Sequence, residues 1–331
     1  MVRYRRQSQL SAQGADPAGA ILPRKRRRGV ALLPSLFTLG NCLCGFASIN
    51  YAARGIAEVL VDGKQTADFI NYAIAGYFIF AAMLFDMFDG FVARLTHSSS
   101  DFGAELDSLA DMVSFGLAPA FLSLRLIADL LYSTNLPVGT KALEIPGPLN
   151  PDAWGRLFWI VAAIYVSCTA LRLARFNVIN KHEISSHMNF RGMPSPGAAA
   201  VVAATIIFFA ALCAPRHVIP FNVSDAVKDI LRSIFPYLLP IVLLISGLLM
   251  VSRFAYSHLI NRFLRGRKKF RDVVFYLCLL MLIILEPQII VLVAIYLYAL
   301  SAPTIWLFRL ATGKLPSPPM APAQPPSPPH P

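Results

Sequence analysis

The stretch of sequence that decides the fold is residues 86–111, which read DMFDGFVARLTHSSSDFGAELDSLAD. Four aspartates, Asp86, Asp89, Asp107 and Asp111, lie here at the ends of two apolar segments. The first pair has the i,i+3 spacing and the second the i,i+4 spacing, so the members of each pair share one face of a helix. Because the turn between the segments is short, we expect antiparallel neighbouring helices whose acidic faces converge at one end of the fold.

The composition places these aspartates in a membrane protein. Of the 331 residues, 56% are hydrophobic and 15% are charged, and the mean hydropathy is +0.57. A soluble domain carries about 25% charged residues, so this balance indicates a chain that crosses a membrane several times and excludes a disordered one. The five cysteines lie in apolar runs without a CxxC pair, and they support neither a disulfide framework nor a zinc site.

Apolar runs of about 20 residues, the length that crosses a bilayer core, make up most of the chain. They occupy residues 30–53, 69–96, 101–133, 153–178, 195–214, 233–254, 271–286 and 288–308. Backbone polar groups in lipid must be satisfied within each segment. We therefore predict an all-α, polytopic transmembrane helical bundle of about eight spans, with seven or nine as the alternatives.

Positive charge sets the expected orientation of that bundle. The formal net charge is +12, and on the eight-span layout 22 of the 30 Lys and Arg residues fall on one side and seven on the other. Cytoplasmic loops are enriched in Lys and Arg. We therefore expect an integral protein of a bacterial inner membrane, with both termini and the aspartates on the cytoplasmic side. Nucleic acid is not expected as a partner, because no fold is indicated that would present the basic residues to it.

Composition also divides the chain into four parts. Residues 1–29 form a basic cytoplasmic arm that is expected to be disordered, and residues 30–215 form the expected catalytic transmembrane core. Residues 216–314 are expected to add further transmembrane helices. Residues 315–331 are rich in proline, which predicts an unpacked, polyproline II-like tail.

Four carboxylates inside apolar helices are costly unless each is paired or hydrated. One interpretation is that they are ordinary helix-end groups satisfied by water and Arg94. The clustering favours hard divalent cations with oxygen ligands, Mg²⁺ or Mn²⁺, and two ions would clamp a phosphoryl group. Gly90 and Gly103 permit the close approach of a ligand, and Arg94, about one turn beyond Asp89, is placed to meet phosphate.

The spacing Asp86-x2-Asp89-Gly90-x2-Ala93-Arg94-x8-Gly103-x3-Asp107-x3-Asp111 resembles the signature of the CDP-alcohol phosphotransferases. This resemblance implies a transmembrane homodimer with a metal-bound active site at the cytoplasmic face, where an alcohol displaces CMP from a CDP-linked lipid. It implies that all four aspartates bind metal and that Asp111 is also the general base. It further implies contacts to the CDP-linked lipid from Gly90, Ala93, Arg94, Ser100 and Gly103.

A second motif of the same family lies at the start of the first span. Residues 33–38 read LPSLFT and resemble the family's Pro-Asn-x-x-Thr motif, with Ser35 where Asn is usual. Thr38 matches the motif, and the resemblance implies that it too contacts CDP-diacylglycerol. The alternative is that the proline only begins a helix.

Two later segments bear on the identity of the alcohol. Residues 171–177 (LRLARFN) and 190–199 (FRGMPSPGAA) resemble segments of the membrane-integral phosphatidylserine synthases, with Met193 where Leu is usual. That resemblance implies CDP-diacylglycerol and L-serine as substrates. Arg172 and Arg175 could bind the serine carboxylate and Asn177 could assist its ammonium group. The alternative is that these arginines merely extend to the membrane surface from a helix end.

Two other functions remain open at this point. A sister enzyme would use glycerol phosphate, inositol phosphate or choline in place of serine. A divalent-cation or proton-coupled transporter is the alternative from another class, because aspartates inside membranes also mark ion pathways. A transporter would place acidic residues on several helices along one path, whereas here they are confined to two helix ends, apart from Asp129 and acids in flanking loops.

Overall fold

The computed structural model describes residues 32–61, 64–96, 101–132, 145–182, 192–214, 223–254, 256 and 287–312. Four of the sequence predictions fall outside these residues: the basic arm 1–29, Ser100, the span 271–286 and the Pro-rich tail 315–331.

Seven long helical segments make up most of the described chain. In chain order they are α1 (Leu32–Arg54), α2 (Ile70–Thr96), α3 (Asp101–Asp111) continuing through a π-helical turn (Met112–Leu117) into α4 (Ala118–Tyr132), α5 (Ala153–His182), α6 (Ser195–Cys213), α7 (Asp225–Val251) and α8 (Pro287–Ala311). The predicted spans within the described residues all coincide with one of these segments. The α-helical prediction is therefore confirmed.

Five of the segments are long and apolar enough to cross a membrane. They are Phe102–Tyr132, Ala153–Val178, Ser195–Cys213, Asp225–Val251 and Pro287–Ala311. The chain is therefore an integral membrane protein, as its composition predicts. The figure of about eight spans stays a prediction.

One element was not expected from the sequence. Strands β1 (Ala57–Val61) and β2 (Lys64–Asp68) form an antiparallel ribbon between α1 and α2, with Ala57 opposite Asp68 and Val61 opposite Lys64. The residues between the strands in the sequence are Asp62 and Gly63, a pair typical of two-residue hairpins. Asp68 then accepts a hydrogen bond from the backbone N–H of Ile70 at 3.0 Å and caps the start of α2.

The predicted third span is interrupted by the π-helical turn, which begins directly after Asp111. Pro119 has no N–H to donate to the carbonyl of Phe115 four residues earlier, so a regular α-helix would lack that hydrogen bond. The hydroxyl of Tyr165 on α5 donates to the Phe115 carbonyl instead, at 2.9 Å. Proline chemistry and a tyrosine from a neighbouring helix together account for the irregular turn.

Helix α6 lies at the centre of the bundle, and almost all of its residues are buried. Its sequence is rich in alanine, and small residues let neighbouring backbones come close in a membrane. A Cβ placed on Gly76 of α2 would lie 2.7 Å from the side chain of Ile207 of α6, so these two helices are in close contact at this point. Helices α2, α7 and α8 all pack against α6.

A buried ion pair joins α1, α2 and α4 at the end of the bundle far from the four aspartates. Arg125 Nη2 lies 2.8 Å from Asp129 Oδ1, and both side chains are at least 94% buried. The hydroxyl of Tyr72 and the backbone N–H of Ile56 both donate to Asp129 Oδ2. Gly55 adopts a φ of +69°, and a Cβ there would lie 2.7 Å from that carboxylate oxygen. Asp129 is thus an internal packing group with three partners, Arg125, Tyr72 and Ile56.

Candidate active site

The structure brings three of the four aspartates together. Asp86 and Asp89 lie near the end of α2, and Asp107 lies on the adjoining α3. One carboxylate oxygen from each residue lies within 4.8 Å of the others. We call Asp86, Asp89 and Asp107 the carboxylate cluster. Asp89 is buried and the other two are half-buried, so the cluster is open on one side.

Asp111 lies one helical turn beyond Asp107 and is held separately. It is 8% exposed, and its Oδ1 atom accepts a hydrogen bond from Asn41 Nδ2 at 3.0 Å. It still interacts electrostatically with Asp86 and Asp107. The sequence therefore predicts the neighbourhood of all four aspartates, and the structure distinguishes Asp111 by its amide partner.

Helix α1 supplies the polar groups that hold the aspartates in place. The hydroxyl of Thr38 lies 3.0 Å from Asp89 Oδ2 and 3.2 Å from the carbonyl of Pro34. A hydroxyl carries one proton and donates to one of these oxygens at a time. Thr38, expected to contact the CDP-linked lipid, therefore lies directly beside the carboxylate cluster.

Asn41 is a residue of the site that sequence reasoning missed. It is fully buried, and its backbone carbonyl accepts a hydrogen bond at 2.8 Å from Ser114, in the π-helical turn that follows Asp111. The sequence does contain a signal for this role. Asn41 is a polar residue in an apolar helix, and it lies three residues after Thr38, so the two side chains share one face of α1. Its partner, however, is 70 residues away in the sequence.

The carboxylate cluster fits a hard divalent cation. Asp107 Oδ1 is buried, and no donor reaches it from any residue that the structure describes. Within the same residues, no Lys or Arg nitrogen lies within ion-pair distance of any of the four aspartates. A buried carboxylate oxygen without a partner is costly. Three convergent carboxylates are the donor set that Mg²⁺ and Mn²⁺ prefer.

The residues predicted to contact the nucleotide continue along α2 from the cluster. A Cβ placed on Gly90 would meet no heavy atom within 4 Å among the described residues outside its own helical turn. There is thus open space directly beside Asp89. Near the end of α2, Ala93 is half-buried and Arg94 is exposed. Gly103 lies on the first turn of α3.

Arg172 of α5 is electrostatically connected to two of the same aspartates. It is partly buried, interacts electrostatically with Asp86 and Asp111, and donates from Nη1 to the hydroxyl of Ser195 at 2.6 Å. Of the other predicted acceptor residues, Arg175 is exposed on α5. Asn177 donates to the hydroxyl of Ser108 at 2.9 Å, which ties α5 to α3 beside the cluster.

The chain before α6 fixes the position of Ser195. Gly192 has a φ of +92°, and its N–H donates to the carbonyl of Phe254 at 2.8 Å. A Cβ there would lie 2.3 Å from the backbone oxygen of Met250, so only glycine fits. This segment, which resembles a segment of the phosphatidylserine synthases, thus fixes the position of the hydroxyl to which Arg172 donates.

Comparison with known proteins agrees with this geometry. The sequence model of the CDP-alcohol phosphatidyltransferase family matches residues 31–227 of the chain. That range contains the carboxylate cluster, Asp111, Asn41 and Arg172. It ends before most of α7 and the whole of α8.

Similar proteins come from distant organisms. The chain is 30% identical to the CDP-diacylglycerol–serine O-phosphatidyltransferase of Helicobacter pylori over 279 residues, which is 84% of this chain and 92% of that protein. It is 34% identical to the protein of the same name from Bacillus subtilis, over 50% of this chain and 69% of that one. It is 38% identical to the one from Methanocaldococcus jannaschii, over 37% and 44%. On these matches, the chain belongs to the CDP-alcohol phosphatidyltransferase family.

Proposed function

We propose that the chain transfers the phosphatidyl group of CDP-diacylglycerol to the hydroxyl of L-serine, giving phosphatidylserine and CMP. The observation that carries the proposal is the carboxylate cluster, whose buried Asp107 Oδ1 is reached by no donor in the described part of the chain. The partly buried Arg172 interacts electrostatically with Asp86 of that cluster. Such a cluster suits a metal-bound pyrophosphate, and the arginine suits the carboxylate of an amino acid. The choice of serine rests on the names of the similar proteins.

In this proposal the four aspartates hold one or two divalent cations, Mg²⁺ or Mn²⁺. Asp86, Asp89 and Asp107 contribute to the first, and Asp111 to the second. A cation bound here would neutralise charge on the pyrophosphate of CDP-diacylglycerol. The hydroxyl of Thr38 orients Asp89 from the α1 side, since the two groups are 3.0 Å apart.

The nucleotide end of the substrate is assigned to the surface that continues from the cluster. The open space beside Gly90 admits the diphosphate. We assign further contacts to Thr38, Ala93 and Gly103, and the resemblance adds Ser100, which lies outside the described residues. Arg94 stabilises the charge that develops on CMP as it leaves, because a guanidinium binds phosphate oxygens in a bidentate manner.

The reaction forms one bond and breaks one. The hydroxyl oxygen of serine attacks the phosphorus that carries the diacylglycerol oxygen, and the bond from that phosphorus to the oxygen of CMP breaks. Asp111 accepts the proton of the serine hydroxyl. Asn41 donates to Oδ1, which keeps a second lone pair for the cation, so Oδ2 is assigned to the proton. Arg172 binds the serine carboxylate and holds the hydroxyl in place, with Arg175 and Asn177 assisting. Positioning and electrostatics supply most of the rate.

The cellular setting of this reaction is also part of the proposal. The enzyme lies in a bacterial inner membrane as a homodimer, with both termini and the active site on the cytoplasmic side. Residues 30–215 form its catalytic core, and residues 216–314 add helices to it. The distribution of Lys and Arg along the chain supports this orientation.

The test is transfer by the purified, detergent-solubilised protein. CDP-diacylglycerol and Mn²⁺ or Mg²⁺ are supplied with radiolabelled serine, glycerol phosphate, inositol phosphate or choline in separate reactions. We expect labelled lipid and released CMP with serine alone. Asp111→Asn, whose amide oxygen can still accept from Asn41, should keep the fold and lose about 10²–10⁴-fold in turnover, the usual contribution of a general base. Preference for another alcohol would refute the serine assignment, and wild-type turnover by Asp111→Asn would refute the role of Asp111.

A further inference from the structure

Ser195 is the first residue of α6, and its side chain is bonded to a different helix. Its hydroxyl oxygen accepts a hydrogen bond from Arg172 Nη1 of α5 at 2.6 Å. A serine deeper in a helix can return its hydroxyl proton to the carbonyl four residues earlier, as Ser246 of α7 does to Val242 at 2.7 Å. Position 195 has no such carbonyl within α6, so its hydroxyl is available to α5.

The backbone at the end of α7 holds Ser195 in place. Ser195 and Met193 are both fully buried. The N–H of Met193 donates at 3.0 Å to the carbonyl of Leu249, and the N–H of Gly192 donates to the carbonyl of Phe254. Carbonyls in the last turn of a helix have no partner within that helix. These bonds therefore complete the end of α7 and at the same time fix the chain that carries Ser195.

The hydrogen bond from Arg172 restricts the guanidinium without using it up. A guanidinium carries five N–H donors in a fixed plane, of which Ser195 accepts one. A carboxylate accepts two parallel N–H bonds from such a plane. Ordering a long side chain opposes binding unless the side chain is already held in place. Arg172 is thus partly ordered before any ligand binds and still has donors for a carboxylate.

We propose that Ser195 is a positioning residue for the acceptor substrate: its hydroxyl oxygen holds the Arg172 guanidinium in the orientation that binds the carboxylate of serine. This inference rests on the proposed function, since it assigns a task to Arg172 within that reaction. It also gives the end of α7 a part in acceptor binding through the backbone bonds to Gly192 and Met193, although that end lies beyond the residues that match the family.

The first test compares Ser195→Ala with Ser246→Ala in the full-length protein. Ser246 is the matched control, because it is also buried and its hydroxyl is bonded within its own helix. We expect Ser195→Ala to raise the KM for serine about tenfold, the size of one hydrogen bond to a charged group. The KM for CDP-diacylglycerol and kcat should change less than twofold. Ser246→Ala should leave all three quantities unchanged.

A double-mutant cycle tests whether Ser195 acts through Arg172. Arg172→Met keeps an unbranched side chain but removes every donor to Ser195, and it should lower kcat/KM for serine by itself. Residues that act through one contact are not additive. Ser195→Ala should therefore lower kcat/KM about tenfold in the wild-type background and less than twofold in the Arg172→Met background, both measured at subsaturating serine.

Three outcomes would overturn the proposal. One is an unchanged KM for serine in Ser195→Ala, and another is a tenfold loss in both backgrounds of the cycle. The third is a Ser195→Ala protein that unfolds at a lower temperature than Ser246→Ala and loses kcat, since the hydroxyl would then serve packing. Failure of the proposed function is a separate result, because the wild-type protein would then make no phosphatidylserine from serine at all.

Discussion

Asn41 connects to α3 and to the turn after it through both its side chain and its backbone. Its amide donates to Asp111, and its carbonyl accepts from Ser114. Around this residue the packing leaves little room, because a Cβ on Gly45 would lie 2.5 Å from the Ser114 hydroxyl. Asn41 therefore fixes where the Asp111 carboxylate points, which makes it a positioning residue for the proposed general base.

Two substitutions of Asn41 separate this role from simple packing. Asn41→Ala removes the donor to Asp111 and should lower kcat about tenfold, with the KM for CDP-diacylglycerol unchanged. Asn41→Asp has nearly the same shape but places a second negative charge beside Asp111, so it should lower kcat further than Asn41→Ala. Steady-state kinetics of both variants with serine provides the measurement. If the isosteric Asn41→Asp retained more activity than Asn41→Ala, the residue would serve packing instead.

The single residues of this site divide into those that spacing predicts and those that it does not. Asp86 and Asp89, like Asp107 and Asp111, repeat at helical intervals within one short stretch, and helical periodicity is a local property of a sequence. Asn41 reaches Asp111 across 70 residues of chain, and Arg172 of α5 reaches Ser195 at the start of α6. Such contacts depend on how the helices pack against one another, and the spacing of residues along the sequence does not predict them.

Among the elements, the π-helical turn is the one whose loss should affect catalysis most. It directly follows Asp111, and its Phe115 carbonyl accepts from Tyr165 where Pro119 cannot donate. The Tyr165 side chain is fully buried. Without its hydroxyl, that carbonyl would lose a donor in the interior, which costs about 1–3 kcal/mol.

Tyr165→Phe should therefore lower the free energy of unfolding by about 1–3 kcal/mol and also reduce kcat, because the turn sets the direction of α3. Ser167→Ala, on the exposed face of the same helix, is the control and should change neither quantity. Unfolding in mixed detergent micelles and turnover of serine give the two readouts. A loss of stability with full kcat would mean that the turn does not position Asp111.

The elements themselves were predicted unevenly. Long apolar runs predicted the helices, since a bilayer requires about 20 such residues in each span. The ribbon Ala57–Asp68 was missed, because it is short and lies between two strong helical signals. The break in the third span was missed for another reason: Pro119 was present in the sequence, but its partner Tyr165 comes from a different helix.

At the level of the whole molecule, the bundle holds the carboxylate cluster at one end and the Arg125–Asp129 ion pair at the other. Asp86 lies 14 residues after Tyr72 along α2, about 21 Å at the rise of an α-helix. The carboxylate cluster is open, whereas the Arg125–Asp129 pair is enclosed by Tyr72, Ile56 and Gly55. We interpret the enclosed pair as a structural connection of α1, α2 and α4.

Asp129→Ala should destabilise the protein by about 3–5 kcal/mol, because it leaves the buried Arg125 charge without its carboxylate. Turnover per folded molecule should stay at the wild-type level, since the reaction takes place about 20 Å away. The double variant Arg125→Met/Asp129→Leu should recover part of the stability, because apolar residues replace both charges. Unfolding in detergent and active-site-normalised kinetics are the measurements. Lost turnover with unchanged stability would refute the structural role of Asp129.

The π-helical turn has one more consequence for the helix that contains it. Each residue of an α-helix advances the side-chain direction by about 100°, and a π turn accommodates one residue more than an α turn. The directions in which side chains leave the helix axis are therefore rotated between α3 and α4, although the two form one continuous helix. Asp107 and Asp111 can face the end of the bundle that holds the carboxylate cluster, while Arg125 and Asp129 face its enclosed interior. The π-helical turn thus lets side chains on α3 and on α4 point in directions that one regular α-helix would not give them. Each end of the continuous helix can therefore meet a different set of partners.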